Sequence, residues 1–343
     1  MISVIVPIRN EKQFIRATLD SILQQSVNGP TEILIAEGMS TDGTREIIKE
    51  YQSKNPSILL VDNPEKIVPT GFNRALSIAK GNVIIRIDGH AIINSNYINQ
   101  CIKVLEKTGA DCVGGPILNS SNGITGKAID IAQSSKFGVG GVRFREKIKK
   151  GEYVDTLAFG AYKRNVFKKL GGYDEELIRN QDDEFNFRLI QSGGRIWLDP
   201  SIQSFYYPRT SLSKLFNQYF QYGFFKVRVI QKRKGLASFR HAIPLIFILS
   251  LFGAFFYYLI YKVEIPILLI SSSYILLSIL ASLNQFIRNL NNWKSALILP
   301  IVSSTMHFAY GFGSILGLCY FIFKWSDQDI KDSYFDKTTF INN

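Results

Sequence analysis

The chain of 343 residues changes its pattern of hydrophobic and polar positions near residue 205. Before that point, short apolar and β-branched runs alternate with amphipathic stretches, which predicts strands connected by helices. Such strands pair mainly in parallel and are covered on both faces, so residues 1–205 are predicted to form one α/β domain. The predicted strands are Ser3–Ile8, Glu32–Ala36, Ile58–Val61, Val83–Ile87 and Asp111–Gly114. The predicted helices are Glu11–Gln24 with Asn10 as its cap, one that follows Ser40–Gly43 and ends at Tyr51, Pro69–Ala79, and Ser95–Lys107.

Three long runs beyond residue 240 carry no charged side chain, at 241–261, 265–283 and 296–323. A membrane-spanning helix needs about 20 mostly apolar residues, so residues 241–323 are predicted to hold three spans, followed by a polar tail at 324–343. Because basic residues favour the cytoplasmic side, the basic segment before the first run predicts that the domain of residues 1–205 is cytoplasmic. The protein would then be a multi-pass protein of the plasma membrane, or inner membrane. Three crossings would place the tail outside, whereas a re-entrant third run would return it inside.

Residues 206–240 form a segment in which basic and aromatic side chains are mixed. From Phe205 to Arg240 the chain has eight basic residues and no acidic one, so much of its net charge of +12 is local. This pattern predicts that Leu212–Lys234 is a helix lying in the membrane interface; an ordinary core helix is the alternative. Nucleic acid also attracts such segments, but the adjoining apolar runs favour lipid, and no nucleic-acid partner is expected.

The cysteines and the first residues indicate a reducing, cytoplasmic environment. Cys101, Cys112 and Cys319 have neither a paired spacing nor a metal-binding spacing, which is typical of small buried side chains in a reducing compartment. Residues 1–6 enter a strand directly, without the basic leader of a secretory signal. The N-terminal part is therefore predicted to stay in the cytoplasm.

The triplet Asp88-Gly89-His90 follows a strongly apolar strand. In open α/β sheets, ligands bind at the carboxyl ends of strands. In an extended segment, residues two apart point to the same side, so Asp88 and His90 would face one cleft as ligands of a divalent metal. The alternative is a strand followed by a polar turn.

Three further segments carry candidate chemistry. Residues 6–11 and 36–44 are strand-to-helix turns, which present backbone N–H groups to a nucleotide, although each could be only a helix cap. Asp182, Asp183 and Glu184 stand together at a predicted helix start. Carboxylates are favourable there, and one of them could be a general base; a solvated acidic helix start is the alternative.

Together these segments resemble the family 2 glycosyltransferases, whose GT-A fold has a Rossmann-like, mixed but mainly parallel sheet. The resemblance covers essentially all of residues 1–205, in the order and spacing of the motifs. These are Pro7 with Asn10-Glu11, Ser40-Thr41-Asp42-Gly43-Thr44, Asp88-Gly89-His90, Gly171-Gly172-Tyr173-Asp174-Glu175 and Asp182-Asp183-Glu184. The apolar runs and Gln218–Gly223 resemble the membrane-anchored branch of succinoglycan biosynthesis.

The resemblance implies an inverting hexosyltransferase that moves a sugar from a nucleotide-diphosphate sugar, most simply a UDP-sugar. The acceptor would be a polyprenyl-diphosphate-linked saccharide at the cytoplasmic membrane face, in bacterial exopolysaccharide or related glycan synthesis. The roles it implies are Pro7, Glu11, Glu37, Asp42 and Asp88 in nucleotide-sugar binding, Asp88 and His90 at a Mn²⁺ or Mg²⁺ ion, Asp182 as catalytic base, and Gly160, Ala161, Asp183 and Glu184 near the acceptor.

Some positions depart from the family's pattern. Gln181 stands where an acidic residue is common, which predicts a lower proton affinity for Asp182. His90 replaces a commoner Asp, which favours Mn²⁺ because imidazole suits it better than Mg²⁺. The Gln-x-x-Arg-Trp motif of processive synthases is missing from Leu212–Lys234. Two alternatives remain: a non-catalytic nucleotide-sugar-binding scaffold or sensor, for which Gln181 would speak, and a processive polysaccharide synthase.

Overall fold

A computed structural model describes residues 1–27, 29–119, 121, 123–206, 211–236, 238–288 and 293–342. Arg209, one of the eight basic residues noted above, lies outside these ranges. The chain divides into two compact units. The first comprises Met1–Leu118, Lys147–Tyr207 and Asp329–Asn343, and the second comprises Asn119–Glu146 and Pro208–Gln328. Each unit thus combines segments from separate parts of the chain.

Strands and α-helices alternate along much of the first half of the chain, and helices dominate the second half. The strands among the described residues are β1 (Ile2–Ile8), β2 (Thr31–Glu37), β3 (Ile58–Asp62), β4 (Val83–Arg86), β5 (Ala91–Ile93), β6 (Cys112–Gly114), β7 (Ile117–Asn119), β8 (Glu152–Tyr153), β9 (Ala161–Lys163), β10 (Ile196–Leu198) and β11 (Ser204–Tyr206). The α-helices are α1 (Ile15–Leu23), α2 (Thr44–Lys54), α3 (Val68–Ile78), α4 (Tyr97–Thr108), α5 (Gly123–Ser134), α6 (Lys136–Val139), α7 (Arg164–Leu170), α8 (Gln181–Gln191), α9 (Leu212–Arg233), α10 (Ile243–Tyr261), α11 (Ile265–Arg288), α12 (Trp293–Leu297), α13 (Leu299–Tyr320) and α14 (Lys337–Asn342).

The first unit is built on a mixed sheet whose order, among the described residues, is β3-β2-β1-β4-β9-β6-β10-β8. Strands β3, β2, β1 and β4 pair in parallel, as do β6 and β10. Strand β9 is antiparallel to both of its neighbours, and β8 is antiparallel to β10. Every residue of β1 is buried, as expected for a parallel strand that is covered on both faces. A smaller sheet has the order β5-β11-β7. The predicted α/β class with a mixed, mainly parallel sheet is confirmed.

The predicted strands lie within one residue of the observed ones at each end, but the first helix starts later than predicted. Helix α1 begins at Ile15 rather than Glu11, and no side chain caps it. Asn10 instead adopts a left-handed conformation with φ of 55°. Its side-chain oxygen accepts a hydrogen bond from the Thr41 amide at 2.9 Å, so it serves the neighbouring turn rather than the helix.

The C-terminal segment from Asp329 belongs to the first unit. Asp332 accepts a hydrogen bond from the Gly172 amide at 3.0 Å, and Glu175 accepts one from the Tyr334 amide at 2.9 Å. Phe340 is fully buried, with its ring 3.8 Å from the guanidinium carbon of Arg164. This segment therefore completes the fold of the first unit rather than forming a separate polar tail.

The second unit is built around α9 and α13, which pack with α5. Its buried cluster comprises Ala128, Ile129, Ala132, Leu215, Tyr219, Leu299, Val302, Met306 and Ala309. A Cβ atom at Gly223 of α9 would lie 2.0 Å from the Tyr310 carbonyl oxygen, so only glycine allows the two helix backbones to come this close.

The predicted interfacial helix, α9, differs from the expectation because several of its basic residues are buried within the protein. Lys226, Arg228 and Lys232 are buried. The Arg228 guanidinium lies 3.1 Å from the Asp327 carboxylate and donates to the Lys324 carbonyl at 2.9 Å. Because these charges are buried and Arg228 is paired within the unit, α9 matches the alternative of a core helix better than that of a helix on a lipid surface.

Two helices among the described residues are long and apolar enough to cross a membrane, Phe239–Tyr261 and Ile265–Ile287. Only 11% of the residues in the apolar window of each are buried, which distinguishes them from the core helices of a soluble protein. The third predicted span, 296–323, is divided between α12 and α13, and much of α13 is buried in the cluster described above. Among the described residues, the structure thus has two helices that could cross a membrane instead of the three predicted spans.

Candidate active site

The triplet that follows β4 forms a turn rather than an extended segment. The Ala91 amide donates to the Asp88 carbonyl at 3.0 Å, which closes a four-residue turn. The sequence argument that Asp88 and His90 face one side because they are extended is therefore wrong. A Cβ atom at Gly89 would lie 2.5 Å from the side chain of Ile8, so glycine lets the turn approach the end of β1.

His90 is oriented by Glu11, which the sequence had assigned to the nucleotide pocket. The Nδ1 atom of His90 lies 2.8 Å from Glu11 Oε1, and both side chains are about one-fifth exposed, at 21% and 20%. The ring of Tyr206 packs edge-on against the imidazole, with centroids 4.8 Å apart. Metal-binding histidines commonly donate their second ring N–H to a carboxylate, which fixes the ring and its tautomer. This contact would make Nε2 the ligating atom.

Arg86 links the triplet to the predicted catalytic base. Its Nε and Nη2 atoms lie 3.1 and 3.0 Å from Asp88 Oδ1. Its Nη1 atom lies 3.3 Å from Asp182 Oδ2, without the geometry of a hydrogen bond. The Arg86 residue is only 4% exposed. One buried guanidinium therefore lies between two carboxylates that were predicted to have different roles.

Asp182 stands in the first turn of α8, where its Oδ1 atom accepts a hydrogen bond from the Asp183 amide at 3.0 Å. Burial raises the pKa of Asp182 above its ordinary value. The positive charge of Arg86 opposes this shift, while the charges of Asp183 and Asp88 add to it. The neutral side chain of Gln181 thus stands beside a carboxyl group whose proton affinity is raised, mainly by burial.

Tyr173 lies under Arg86, with its ring centroid 5.7 Å from the guanidinium carbon. The ring stacks on Phe72 at 4.2 Å, which fixes its plane. The backbone of Tyr173 exchanges two hydrogen bonds with the Asn73 side chain, both 2.8 Å long. Tyr173 Oη and Gln181 Oε1 are buried without a hydrogen-bond partner in the described part of the chain. Buried polar atoms are normally satisfied, so these atoms indicate a polar site beside Asp182.

The two strand-to-helix turns predicted to bind the nucleotide are held together by hydrogen bonds. The Glu11 amide donates to the Thr44 hydroxyl at 2.9 Å, and the Lys12 amide donates to Asp42 at 3.1 Å. Burial alone would raise the pKa of Asp42, but hydrogen bonds from Thr44 and from the Lys12 amide lower it below its ordinary value. Asp42 therefore stabilises the turn as an ionised carboxylate.

Two residues predicted to line the nucleotide pocket, Glu37 and Pro7, are buried in the fold instead of exposed. Glu37 is completely buried and binds Arg45 at 2.7 Å and the Ser40 amide at 2.7 Å. Pro7 is buried within β1, opposite Ala36 of β2. They shape the turns at this edge of the sheet, and direct contact with a nucleotide stays a prediction.

Most of the residues predicted near the acceptor are also buried. Ala161 is buried in β9, between β4 and β6, and the Gly160 carbonyl accepts a hydrogen bond from the Arg86 amide at 3.1 Å. Glu184 is also fully buried, and both of its oxygens bind Arg188, at 3.1 and 2.9 Å. Only Asp183 is partly exposed. The sheet encloses Ala161 and an ion pair encloses Glu184, and the nearness of these residues to an acceptor stays a prediction.

Among the described residues, no three histidine, cysteine, aspartate or glutamate side chains converge as a metal site would require. Asp88 and His90 would thus be at most a partial set of ligands. This is chemically consistent with a metal whose remaining ligands come from a bound diphosphate and water, as for Mg²⁺ or Mn²⁺ in phosphate-transferring sites.

Comparison with known proteins identifies the family. The model of the family described as glycosyl transferase family 2 matches residues 3–171. A succinoglycan biosynthesis protein, ExoA, of Rhizobium meliloti is 33% identical over 253 residues, which cover 73% of this chain and 76% of the relative. The chain belongs to glycosyl transferase family 2. This glycosyltransferase therefore acts in polysaccharide or glycan biosynthesis.

Two further similarities extend beyond the family region. A dolichyl N-acetylglucosaminyl phosphate glucuronosyltransferase of Methanococcus voltae is 30% identical over 92% of this chain and 97% of its own length. The mannosyltransferase PcManGT of Pyrobaculum calidifontis, solved with GDP-mannose and Mn²⁺, aligns with a TM-score of 0.59 at 18% identity. The alignment covers 92% of this chain and 86% of that structure, which confirms the predicted GT-A fold.

Arg86 is the residue of this glycosyltransferase site that the sequence analysis missed. It interrupts the apolar run Val83–Ile87 with a positive charge. A charge inside a buried strand needs partners of opposite charge, and that rule could have drawn attention to it. Its partner Asp182 lies 96 residues away in the chain, so the pairing itself had no local signal.

Proposed function

We propose that this family 2 enzyme transfers a sugar, with inversion, from a nucleotide-diphosphate sugar to a lipid-linked saccharide. The observation that carries the proposal is the pairing of Asp88 and Asp182 through Arg86 at the carboxyl edge of the sheet. The family more often uses uridine nucleotides, so UDP-sugar is the proposed donor. The edge formed by the linked turns of residues 10–12 and 40–44 would hold the nucleotide.

Asp182 is the proposed base. It would accept the proton of an acceptor hydroxyl while that oxygen attacks the anomeric carbon and the nucleoside diphosphate leaves. One base and one attack give a single displacement, with inversion and no covalent intermediate. A raised pKa brings this carboxylate closer to neutral pH, where a general base is more effective.

Asp88 and His90 fit a divalent ion, because they combine a carboxylate with an imidazole whose ring is held by Glu11. A bound Mn²⁺ or Mg²⁺ would offset the negative charge of the diphosphate leaving group. The imidazole favours Mn²⁺ by ligand type. Mn²⁺ in the structure of the mannosyltransferase with the same fold is consistent with this choice.

The acceptor is proposed to be a polyprenyl-diphosphate-linked saccharide. The archaeal relative, aligned over 92% of this chain, is named for transfer to a sugar on a dolichyl phosphate. The two exposed apolar helices suggest membrane association, which would bring the enzyme to such a lipid.

The proposed topology has two crossings, with the first unit in the cytoplasm. Met1–Leu118, Lys147–Tyr207 and Asp329–Asn343 fold as one unit, so they lie on one side of a membrane, and an even number of crossings must separate the third segment from the first two. Basic residues precede the first apolar helix and follow the second, at Arg240 and Lys294, which favours the cytoplasm for both ends. The short connection at 262–264 would then face outward.

The test is a screen of nucleotide sugars with membranes that contain the full chain, read by the mass of lipid-extracted products. We expect one donor to add one sugar, and Asp182→Asn to abolish the addition. Asp20→Asn is the control, because Asp20 is exposed on α1 and its carboxylate accepts a hydrogen bond from the Tyr51 hydroxyl. Equal transfer to water-soluble acceptors without lipid would contradict the acceptor, and a ladder of long products would favour a processive synthase. Donor binding without any transfer would favour the sensor alternative.

A further inference from the structure

We propose that Arg86 is a positioning residue that holds the carboxylates of Asp88 and Asp182 in place and, by balancing their charges, makes divalent-metal binding depend on the nucleotide diphosphate. The inference rests on the proposed function of the same site. It gives Arg86 a role that the roles of Asp88 and Asp182 alone do not imply.

The first step is the geometry of the guanidinium. Nε and Nη2 both face Asp88 Oδ1, at 3.1 and 3.0 Å, and Nη1 faces Asp182 Oδ2 at 3.3 Å. A planar guanidinium can serve two carboxylates on different edges at once, whereas the ammonium group of lysine is a single point charge. The ring of Tyr173 lies below the guanidinium carbon and is itself stacked on Phe72. Arg86 therefore has an aromatic neighbour that is itself held by stacking.

The second step is the difference between the two sides of Arg86. The Asp88 side has a hydrogen bond and an ion pair to the same oxygen, whereas the Asp182 side is an ion pair without hydrogen-bond geometry. Arg86 thus holds Asp88 firmly and Asp182 more loosely. Asp182 is thus held near Arg86, but its Oδ2 atom does not accept a hydrogen bond from Nη1. That oxygen is therefore suited to accept a hydrogen bond from the hydroxyl of the sugar acceptor.

The third step is charge. Asp88 and Asp182 with Arg86 have a net charge of −1 when both carboxylates are ionised, instead of −2 without the guanidinium. The Arg86 guanidinium lies 3.0 Å from the Asp88 carboxylate. A divalent cation bound by Asp88 and His90 would therefore be close to a second positive charge. The diphosphate of the donor brings the negative charge that such a cation needs. Metal alone should bind weakly, and metal with nucleotide diphosphate should bind much more tightly.

The test is Mn²⁺ binding to the full chain in detergent, measured by the electron paramagnetic resonance of free Mn²⁺, with and without UDP. We expect Arg86→Gln to bind Mn²⁺ at least tenfold more tightly than the wild type when UDP is absent. The double variant Arg86→Gln with Asp182→Asn should lose most of that gain, since one of the two released carboxylates is gone. A purely structural role of Arg86 would not strengthen metal binding. Binding by Arg86→Gln that is no tighter than in the wild type would overturn the charge-balancing role.

Arg86→Lys tests the positioning role and also serves if Arg86→Gln does not fold. Lysine keeps the positive charge, so Mn²⁺ affinity without UDP should stay within about threefold of the wild type. Lysine lacks the two-sided geometry of the guanidinium, so kcat should fall at least tenfold with little change in the donor KM. Full turnover in Arg86→Lys would refute positioning, and a tenfold gain in Mn²⁺ affinity would refute charge balance. Asp88→Asn separates this inference from the proposed function: if it leaves Mn²⁺ binding in the presence of UDP unchanged, the metal site itself is wrong, whatever Arg86 does.

Discussion

Replacing Phe340 with alanine should loosen the C-terminal segment from the first unit and, through it, the segment that leads to Asp182. Phe340 has no exposed surface, and its ring covers the Arg164 guanidinium at 3.8 Å. Removing a buried phenylalanine side chain costs about 3–5 kcal/mol, part of which is the lost contact with the cation. At about 1.4 kcal/mol per factor of ten, the equilibrium for docking this segment should weaken by roughly 10²–10⁴.

Hydrogen exchange measured by mass spectrometry reads this change directly. The Gly172 amide donates to Asp332, so it should lose protection together with residues 329–342 when the segment undocks. Turnover should fall as well, because Tyr173 follows Gly172 and lies under Arg86. Ile341→Ala is the matched control, since Ile341 is 47% exposed and should leave exchange unchanged. Unchanged exchange around Gly172 in Phe340→Ala would refute the reasoning that the C-terminal segment supports the site.

The remaining predictions concern the base, the metal and the membrane. Turnover should fall as the pH drops through the raised pKa of Asp182, because the protonated carboxyl cannot accept a proton. The acid limb of kcat against pH should therefore lie above 3.8, the ordinary pKa of an aspartate. An acid limb below that value would contradict the argument that burial raises the pKa of Asp182. Glu11→Gln should weaken Mn²⁺ activation about 10- to 100-fold by releasing the ring of His90, which a metal titration of activity measures; an unchanged activation constant would remove Glu11 from the metal site. In a Cys319→Ser background, Val263→Cys should react with an impermeant thiol reagent added to intact cells; protection of that position, with labelling only after lysis, would exclude the proposed orientation, in which the connection at 262–264 faces outward.

The sheet and much of the site could be predicted because both depend on local patterns. Apolar runs such as Val83–Ile87 are determined by burial on both faces, which the sequence displays directly. The turns of residues 10–12 and 40–44 could also be expected to meet, because the carboxyl ends of neighbouring parallel strands lie at one edge. What the pattern did not contain was the antiparallel strand β9, which enters between β4 and β6 from a later part of the chain.

Two of the errors share a physical cause, because the place of a charged side chain depends on its partner and composition does not show that partner. The basic residues of α9 suggested an anionic surface, yet Arg228 is buried against Asp327, 99 residues later. Glu184 suggested an exposed acidic helix start, yet it forms a buried pair with Arg188 one turn further on. The second pairing has helical i, i+4 spacing and could have been predicted, whereas the first could not.

The order of the chain also matters for how the site is completed. The proposed catalytic residues lie before residue 190, but the partners of Gly172 and Glu175 are Asp332 and Tyr334, which follow both apolar helices. Domains fold largely as units during synthesis, with the N-terminal part first. The first unit, however, cannot bury Phe335 and Phe340 until the apolar helices have been made. If those helices insert into a membrane, the segment that supports Tyr173 docks only after insertion, so the geometry around Arg86 and Asp182 would be completed at the membrane where a lipid-linked acceptor is found.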